Sequence, residues 1–281
     1  MDLEATSCCG AATNKAVSTS ADEARKMVRE RYGNVAGSGG LADAHAEKIG
    51  YTSEDLQQVP EGANLGLGCG NPTALAALRP GEVVVDLGAG AGFDALLAAR
   101  KVAPNGRVIG VDMTLEMLRK ARENAAQAGL ADIVEFREGI IEELPIVSGS
   151  ADVVISNCVI NLCPDKPKVF REMFRVLKSG GRIAISDILL TAELPAEVAN
   201  MTDVYAGCVG GAVVATDYLD AIHVAGFRDI QWTRVSAASL FEGFSDSNDP
   251  VIQELIANLG ADRAAEIAQT VWSYKIEASR P

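Results

Sequence analysis

The chain has 281 residues, 48% of them hydrophobic, enough to bury a sizeable core in one large α/β domain with a small appendage. Its net charge of −13 argues against nucleic acid and anionic membrane as partners, because phosphate recognition rests on clustered Lys and Arg. No apolar run approaches the roughly 20 residues of a membrane-spanning helix, and residues 1–30 lack the apolar segment of a secretory leader, so a cytoplasmic protein is expected.

Residues 1 to about 20, rich in Ala, Ser and Thr, read as a solvated, mobile tail carrying the vicinal Cys8 and Cys9. Apolar residues at Ala24, Met27, Val28 and Tyr32 predict an amphipathic helix from Ala21 to Tyr32, closed by Gly33, and residues 37–40 read as a flexible joint. Thr52-Ser53-Glu54-Asp55 starts another helix, which Pro60-Glu61-Gly62 ends. The segment 64–72 is too glycine-rich around Cys69 for packing alone, which implies that something comes close to its backbone.

Beyond it the pattern alternates: strand 83–87, helix 92–101, strand 107–111, helix 114–128, strands 133–137 and 152–156, helix 166–177 and strand 182–187. Such repetition predicts a doubly wound, mostly parallel, Rossmann-like sheet with ligands at the carboxyl ends of its strands. Asp86, Asp112, Gly139 and Ser156-Asn157-Cys158 all fall at those ends. An insertion over 187–215 places Cys208 among glycines. Helix 217–225 and strand 229–235 follow, then one or two helices over 249–270. Trp272, Tyr274 and Ile276 alternate as a final strand, antiparallel at or near the edge.

The turn after the first strand carries Gly88, Gly90 and Gly92. Its backbone N–H groups can approach a ligand closely, and the helix start adds positive potential. A dinucleotide turn reads G-x-G-x-x-G, whereas here the third glycine comes one residue early. Asp86 followed by G-x-G-x-G resembles the first motif of S-adenosylmethionine (SAM) dependent methyltransferases. Asp112 ends the next strand, where an acid accepts hydrogen bonds from ribose hydroxyls. The same position also suits a helix N-cap before Thr114.

The six cysteines, at 8, 9, 69, 158, 163 and 208, contain no C-x-x-C pair and are expected to be largely reduced. With only His45 and His223, an imidazole-rich metal site is not expected. Cys69, Cys158 and Cys208 are each placed to overhang the strand ends. Taken singly, a thiol reads as core filler, Cys163 between Leu162 and Pro164 most of all. Three thiols at one edge instead suit a soft, thiophilic centre. Zinc has no lone pair to be methylated, whereas trivalent arsenic bonds three sulfurs and keeps a lone pair facing outward.

The runs EGANLGLGCGNP (61–72), VVDLGAGAGFD (84–94), VISNCVINLCPDK (154–166) and AGCVGGAV (206–213) together resemble the arsenite SAM-methyltransferases, over about Tyr51 to Phe227. The resemblance implies a class I methyltransferase fold and methyl transfer from SAM to arsenite or its glutathione complex. Methylated arsenicals are the products, in arsenic detoxification, and thioredoxin or glutathione is the reductant. It implies that Cys69, Cys158 and Cys208 are the arsenic-binding, redox-active thiols. It further implies cofactor contacts at Tyr51, Asp86, Gly88, Gly90, Asp112, Met113, Ile140, Ile141 and Asn157, with Ile141 near adenine, Asn157 beside the methyl-bearing end and Tyr51 over the cofactor.

Two features depart from the family pattern. No cysteine lies between Tyr32 and Tyr51, and the working hypothesis is that Cys8 or Cys9 folds back to serve. Ile140 stands where many SAM enzymes carry an acid for the adenine amine. No general base is expected, since arsenic has no proton to lose. Each methylation leaves arsenic pentavalent, and its reduction draws on a thiol pair that closes as a protein disulfide. The expected organisation is residues 1–50 as tail and helix, 51–190 as the SAM-binding core with the Cys69 loop, and 191–281 as the Cys208 insertion, last helix–strand units and C-terminal appendage. Rival readings are a SAM methyltransferase of a small organic acceptor with structural thiols, and a non-catalytic thiol-based metalloid-binding protein.

Overall fold

Short runs of β-branched residues alternate with helices that are apolar on one face, and that alternation sets the layers of the molecule. The computed structural model describes residues 20–37, 43–195, 198, 209, 211–236 and 250–281. Cys8, Cys9 and Cys208, and residues 38–40 of the expected joint, lie outside the described residues.

The described strands are β1 (Val83–Leu87), β2 (Arg107–Asp112), β3 (Val134–Glu138), β4 (Ala151–Asn157), β5 (Leu177–Leu190), β6 (Arg228–Ser236) and β7 (Val271–Ser279). They form one sheet in the order β3-β2-β1-β4-β5-β7-β6. β1 runs parallel to β2 (Val84 opposite Val108) and to β4 (Val85 opposite Val154), and β7 lies antiparallel between β5 and β6. The final strand is therefore one place in from the edge.

The helices are α1 (Ala21–Gly37), α2 (Asp43–Lys48), α3 (Ser53–Gln57), α4 (Pro72–Leu75), α5 (Phe93–Val102), α6 (Leu115–Gln127), α7 (Lys166–Val176), α8 (Ala215–Val224), α9 (Pro250–Leu259) and α10 (Ala261–Ala268). In α7 the residues Val169, Phe170, Met173 and Val176 recur on one face and are fully buried, and Asp165 caps the start by accepting from Lys168 N. They pack with Val85, Val154 and Ile185 on one side of the sheet. Leu96 and Ala99 of α5 and Leu118 and Ala121 of α6 pack with Val84, Val108 and Ile155 on the other. No helix among the described residues is long and apolar enough to cross a membrane.

Three boundaries differ from the sequence expectation. Gly33 does not close α1, which continues to Gly37. Gly33 has no positive φ, and a β-carbon there would make only ordinary contact with the Glu116 side chain of α6 at 3.5 Å, so nothing at this glycine requires the helix to stop. Thr52 and Asp55 do form a capping box, but α3 ends at Gln57, before Pro60. Strand β5 starts at Leu177, opposite Ala151 of β4, and runs on to Leu190 because β7 pairs with it from Arg182 opposite Ser279 to Leu190 opposite Val271.

Candidate active site

The carboxyl ends of β1, β2 and β4, the loop 63–68 and helix α1 line a cleft that is open to solvent on one side. Every cofactor position expected from the sequence faces it: Tyr51, Asp86, Gly88, Gly90, Asp112, Met113, Ile140, Ile141 and Asn157. Gly139 and Cys158 line it too.

The glycine turn is built by three positive φ angles, +64° at Gly88, +52° at Gly90 and +91° at Gly92. A β-carbon at Gly88 would lie 2.5 Å from Val159 Cγ2, whereas one at Gly90 would meet nothing closer than Gly88 O at 3.9 Å. Gly88 is thus needed for packing, and Gly90 leaves the backbone open to the cleft. Gly90 N donates to Asp112 Oδ2 (2.9 Å) and Thr114 N to Asp112 Oδ1 (2.8 Å), so Asp112 fixes the turn and the start of α6 together. Burial raises its pKa.

The cleft fits a sulfonium nucleoside. Asp86 is buried, and its Oδ2 has no hydrogen-bond partner among the described residues. Burial, with the nearby Asp94 and Asp112 carboxylates, pushes its pKa well above the usual carboxylate range, so a cationic group brought there would be favoured. Apolar Leu65, Met117 and Ile141 line the cleft beside these acids.

Cys69 and Cys158, 89 residues apart in sequence, are joined as a disulfide with their Cα atoms 5.9 Å apart. This corrects the expectation of largely reduced thiols for that pair, and it removes both from thiolate ligation until the bond is opened. Cys158 follows the tip of β4 in a left-handed conformation, φ +55°, which costs a non-glycine residue about 1–3 kcal/mol. Asn157 brings the other partner in. Its Oδ1 accepts from Cys69 N (3.0 Å), and its Nδ2 donates to Gly70 O (2.9 Å) with Tyr51 Oη and Asp94 Oδ2 each at 3.0 Å. Ser273 Oγ donates to Cys69 O (2.7 Å). The close approach implied by the glycines around Cys69 is made by protein: β-carbons at Gly68 and Gly70 would lie 2.7 Å from Asn157 Nδ2 and 2.5 Å from Ser186 Oγ.

Sequence reasoning missed four charged residues here. Asp94 opens α5, is buried, and accepts from Tyr51 Oη at 2.6 Å; burial pushes its pKa up to about 6 against the hydrogen bonds of Tyr51 and Asn157. Its signal was available, as an acid directly after the glycine turn. Asp187 lies fully buried with a carboxylate oxygen within 4.8 Å of both sulfurs, held by Tyr218 Oη (3.0 Å) and Asn161 Nδ2 (2.9 Å). Burial pushes it up to about 7. Glu142, two residues past Ile140, is buried against the cleft and pairs with Arg25 of α1 (3.1 Å).

Helix α1 roofs the site. Ala24 and Val28 pack in one apolar cluster with Cys69, Cys158 and Val209, the sequence neighbour of Cys208. Cys163 is buried in the core beside Val169 and Phe170 while touching the cleft, and burial pushes its thiol pKa well up, so it stays protonated.

Residues 78–242 match the methyltransferase domain family. The arsenite methyltransferase of Halobacterium salinarum is 43% identical over 92% of this chain and 67% of its own length. That of Aquipseudomonas alcaligenes is 41% identical over 62% of this chain and 52% of its own, so the chain spans between half and two thirds of these relatives. Among solved structures, an arsenic(III) S-adenosylmethionine methyltransferase from Chlamydomonas reinhardtii superposes with a TM-score of 0.58 at 29% identity, covering 86% of this chain and 74% of that one. With its seven-stranded, mostly parallel sheet and its cleft at the strand ends, the chain belongs to the arsenite methyltransferase family of SAM-dependent enzymes.

Proposed function

We propose that this chain methylates trivalent arsenic held by cysteine thiolates, with SAM as methyl donor and a thiol reductant to reset it. The observation that carries the reading is the meeting of Cys69 and Cys158, buried beside the cleft, where Cys158 lines the same space as the SAM positions.

Two external thiols, of glutathione or a thioredoxin, open the Cys69–Cys158 bond; they leave as one disulfide and the protein keeps two thiols. Arsenite then exchanges oxygen or glutathione ligands for these sulfurs. Cys208 is the proposed third ligand, and the packing of Val209 with Cys69 and Cys158 supports it. SAM supplies an electrophilic methyl group, whose carbon–sulfur bond electrons leave with sulfur as the arsenic lone pair forms the new bond. The chain's part is alignment, which in favourable cases lowers a barrier by roughly 7–11 kcal/mol. Asp112 and the Gly88–Gly90 turn would hold the ribose end, Ile141 would flank the base, and Asp86 would offer its carboxylate to the cationic end. After transfer, arsenic takes two electrons from a thiol pair, which closes again as the disulfide.

Arsenic speciation by chromatography and mass spectrometry, after incubating the chain with arsenite, SAM and glutathione or thioredoxin, tests the reading. Methylated arsenicals are expected. Cys158→Ser and Cys208→Ser should abolish them while SAM binding, read by calorimetry, survives. Cys163→Ser should keep activity within about twofold, because a buried protonated thiol is no ligand. Full activity in either of the first two variants removes the thiol site. Tight arsenite binding without product would instead make this a metalloid-binding protein, and turnover only with an organic acceptor would make it a different methyltransferase.

A further inference from the structure

We propose that Asp94 is a positioning residue for the sulfur pair: acting through Asn157, it holds the Cys69 loop against the tip of β4 and so sets how readily the Cys69–Cys158 disulfide closes and reopens. This deepens the reading above, in that it rests on the pair cycling between dithiol and disulfide.

The Asn157 amide links the two elements. Its oxygen meets one donor, Cys69 N, and its nitrogen, with two hydrogens, lies within reach of three acceptors, Gly70 O, Asp94 Oδ2 and Tyr51 Oη. Turning the amide over would set donor against donor at Cys69 N and acceptor against acceptor at Gly70 O and Asp94 Oδ2. Asp94 therefore helps choose the one orientation that grips the loop on both sides of the Cys69 carbonyl carbon. Tyr51 completes the anchor, since its hydroxyl donates to Asp94 Oδ1 at 2.6 Å and accepts from Asn157. A buried carboxylate at this place is costly to keep, and both of its oxygens are used in holding others. The grip matters because Cys158 is fixed by its own strand tip, so the distance between the sulfurs is set by where the Cys69 loop sits. Loosening the loop lowers the effective concentration of one thiol at the other, which shifts the exchange toward the dithiol. Ser273 on Cys69 O and His45 on Gly68 O also hold the loop, so the shift is partial.

The test uses the full chain without arsenic. Protein is equilibrated with mixtures of dithiothreitol and its cyclic disulfide, each reduction of the Cys69–Cys158 bond to two thiols oxidising one dithiothreitol to its ring. Thiols are then trapped by alkylation and the Cys69 and Cys158 peptides are read by mass spectrometry. Asp94→Ala should move the midpoint about tenfold toward the dithiol, in line with the loss of hydrogen bonds to a charged acceptor. Tyr51→Phe, which removes a hydroxyl without opening a void, should move it by about threefold in the same direction. SAM affinity is measured on the same proteins. A midpoint within twofold of the parent in both variants overturns the proposal, and so does a loss of SAM affinity with the midpoint unmoved, which would make Asp94 a cofactor contact. A shifted midpoint in the variants, with a parent that makes no methylated arsenic, would leave the positioning role standing and bring down the activity instead.

Discussion

Gly88 and Gly90 sit two residues apart in one turn, and a methyl group would meet different surroundings at each. Both need a positive φ, which costs an alanine roughly 1–2 kcal/mol. At Gly88 the new carbon would also lie 2.5 Å from Val159, and overpacking adds typically about 1–3 kcal/mol. Gly88→Ala should therefore lower Tm by several degrees and weaken SAM binding with it, whereas Gly90→Ala, whose carbon enters the open cleft, should weaken SAM binding with a much smaller loss of Tm. Calorimetric unfolding and SAM titration of the two variants check this, and equal losses of Tm would refute the distinction. The turn also marks how far sequence reasoning reaches. Glycine spacing is written in neighbouring residues and was legible, as were the strand-end acids Asp86 and Asp112. Asp94 stands in the same run, but its role depends on Tyr51 and Asn157, 43 and 63 residues away, and no local pattern records them.

At the scale of elements, helix α1 was readable as a helix and unreadable as a roof. Its apolar spacing gave the buried stripe of Ala24 and Val28, but its partner across the cleft, Glu142, is 117 residues from Arg25. The β–α alternation gave most element positions because each strand and helix announces itself within a window of a few residues. The length of β5 escaped it, since its far end pairs with β7, roughly a third of the chain later, with Leu190 opposite Val271. The roof has a testable hinge point. The Glu142 side chain is 3% exposed and that of Arg25 22%, so removing the cation leaves a buried carboxylate uncompensated at a cost of about 1–3 kcal/mol, less than for a wholly buried pair. Arg25→Ala should loosen α1, speeding tryptic cleavage after Arg29 and Arg31 and weakening SAM binding, with little change in the unfolding of the sheet. Arg25→Lys should restore part of both. If cleavage rate and SAM affinity stay at parental values in the alanine variant, the ion pair does not hold the roof.

For the whole molecule, a net charge of −13 coexists with carboxyls placed where water cannot reach them. Burial lifts Asp94 to about 6 and Asp187 to about 7, both above the ordinary 3.8 that the unfolded chain would show. Between pH 4 and 7 the folded protein thus holds protons that the unfolded chain has released. The number bound is larger in the native state, so stability falls as pH rises; the contribution is full below the unfolded pKa and is lost as pH passes through the folded one. Each such group gives a slope approaching about 1.4 kcal/mol per pH unit within its window. Ion pairs work in the opposite sense on the acid side: Arg175 hydrogen-bonds Glu172 and holds it low, so that contribution is present above the ordinary 4.5 and lost as pH falls through the lowered value. The two windows barely overlap, which lets one substitution separate them. Urea midpoints of the parent should decline from pH 4.5 to 7.5, and Asp187→Asn, neutral throughout, should decline less steeply while the acid limb below pH 4 stays parallel to the parent's. Parallel curves across the upper window would mean that Asp187 is ionised in the folded protein, and that Tyr218 and Asn161 stabilise its charge more than burial opposes it.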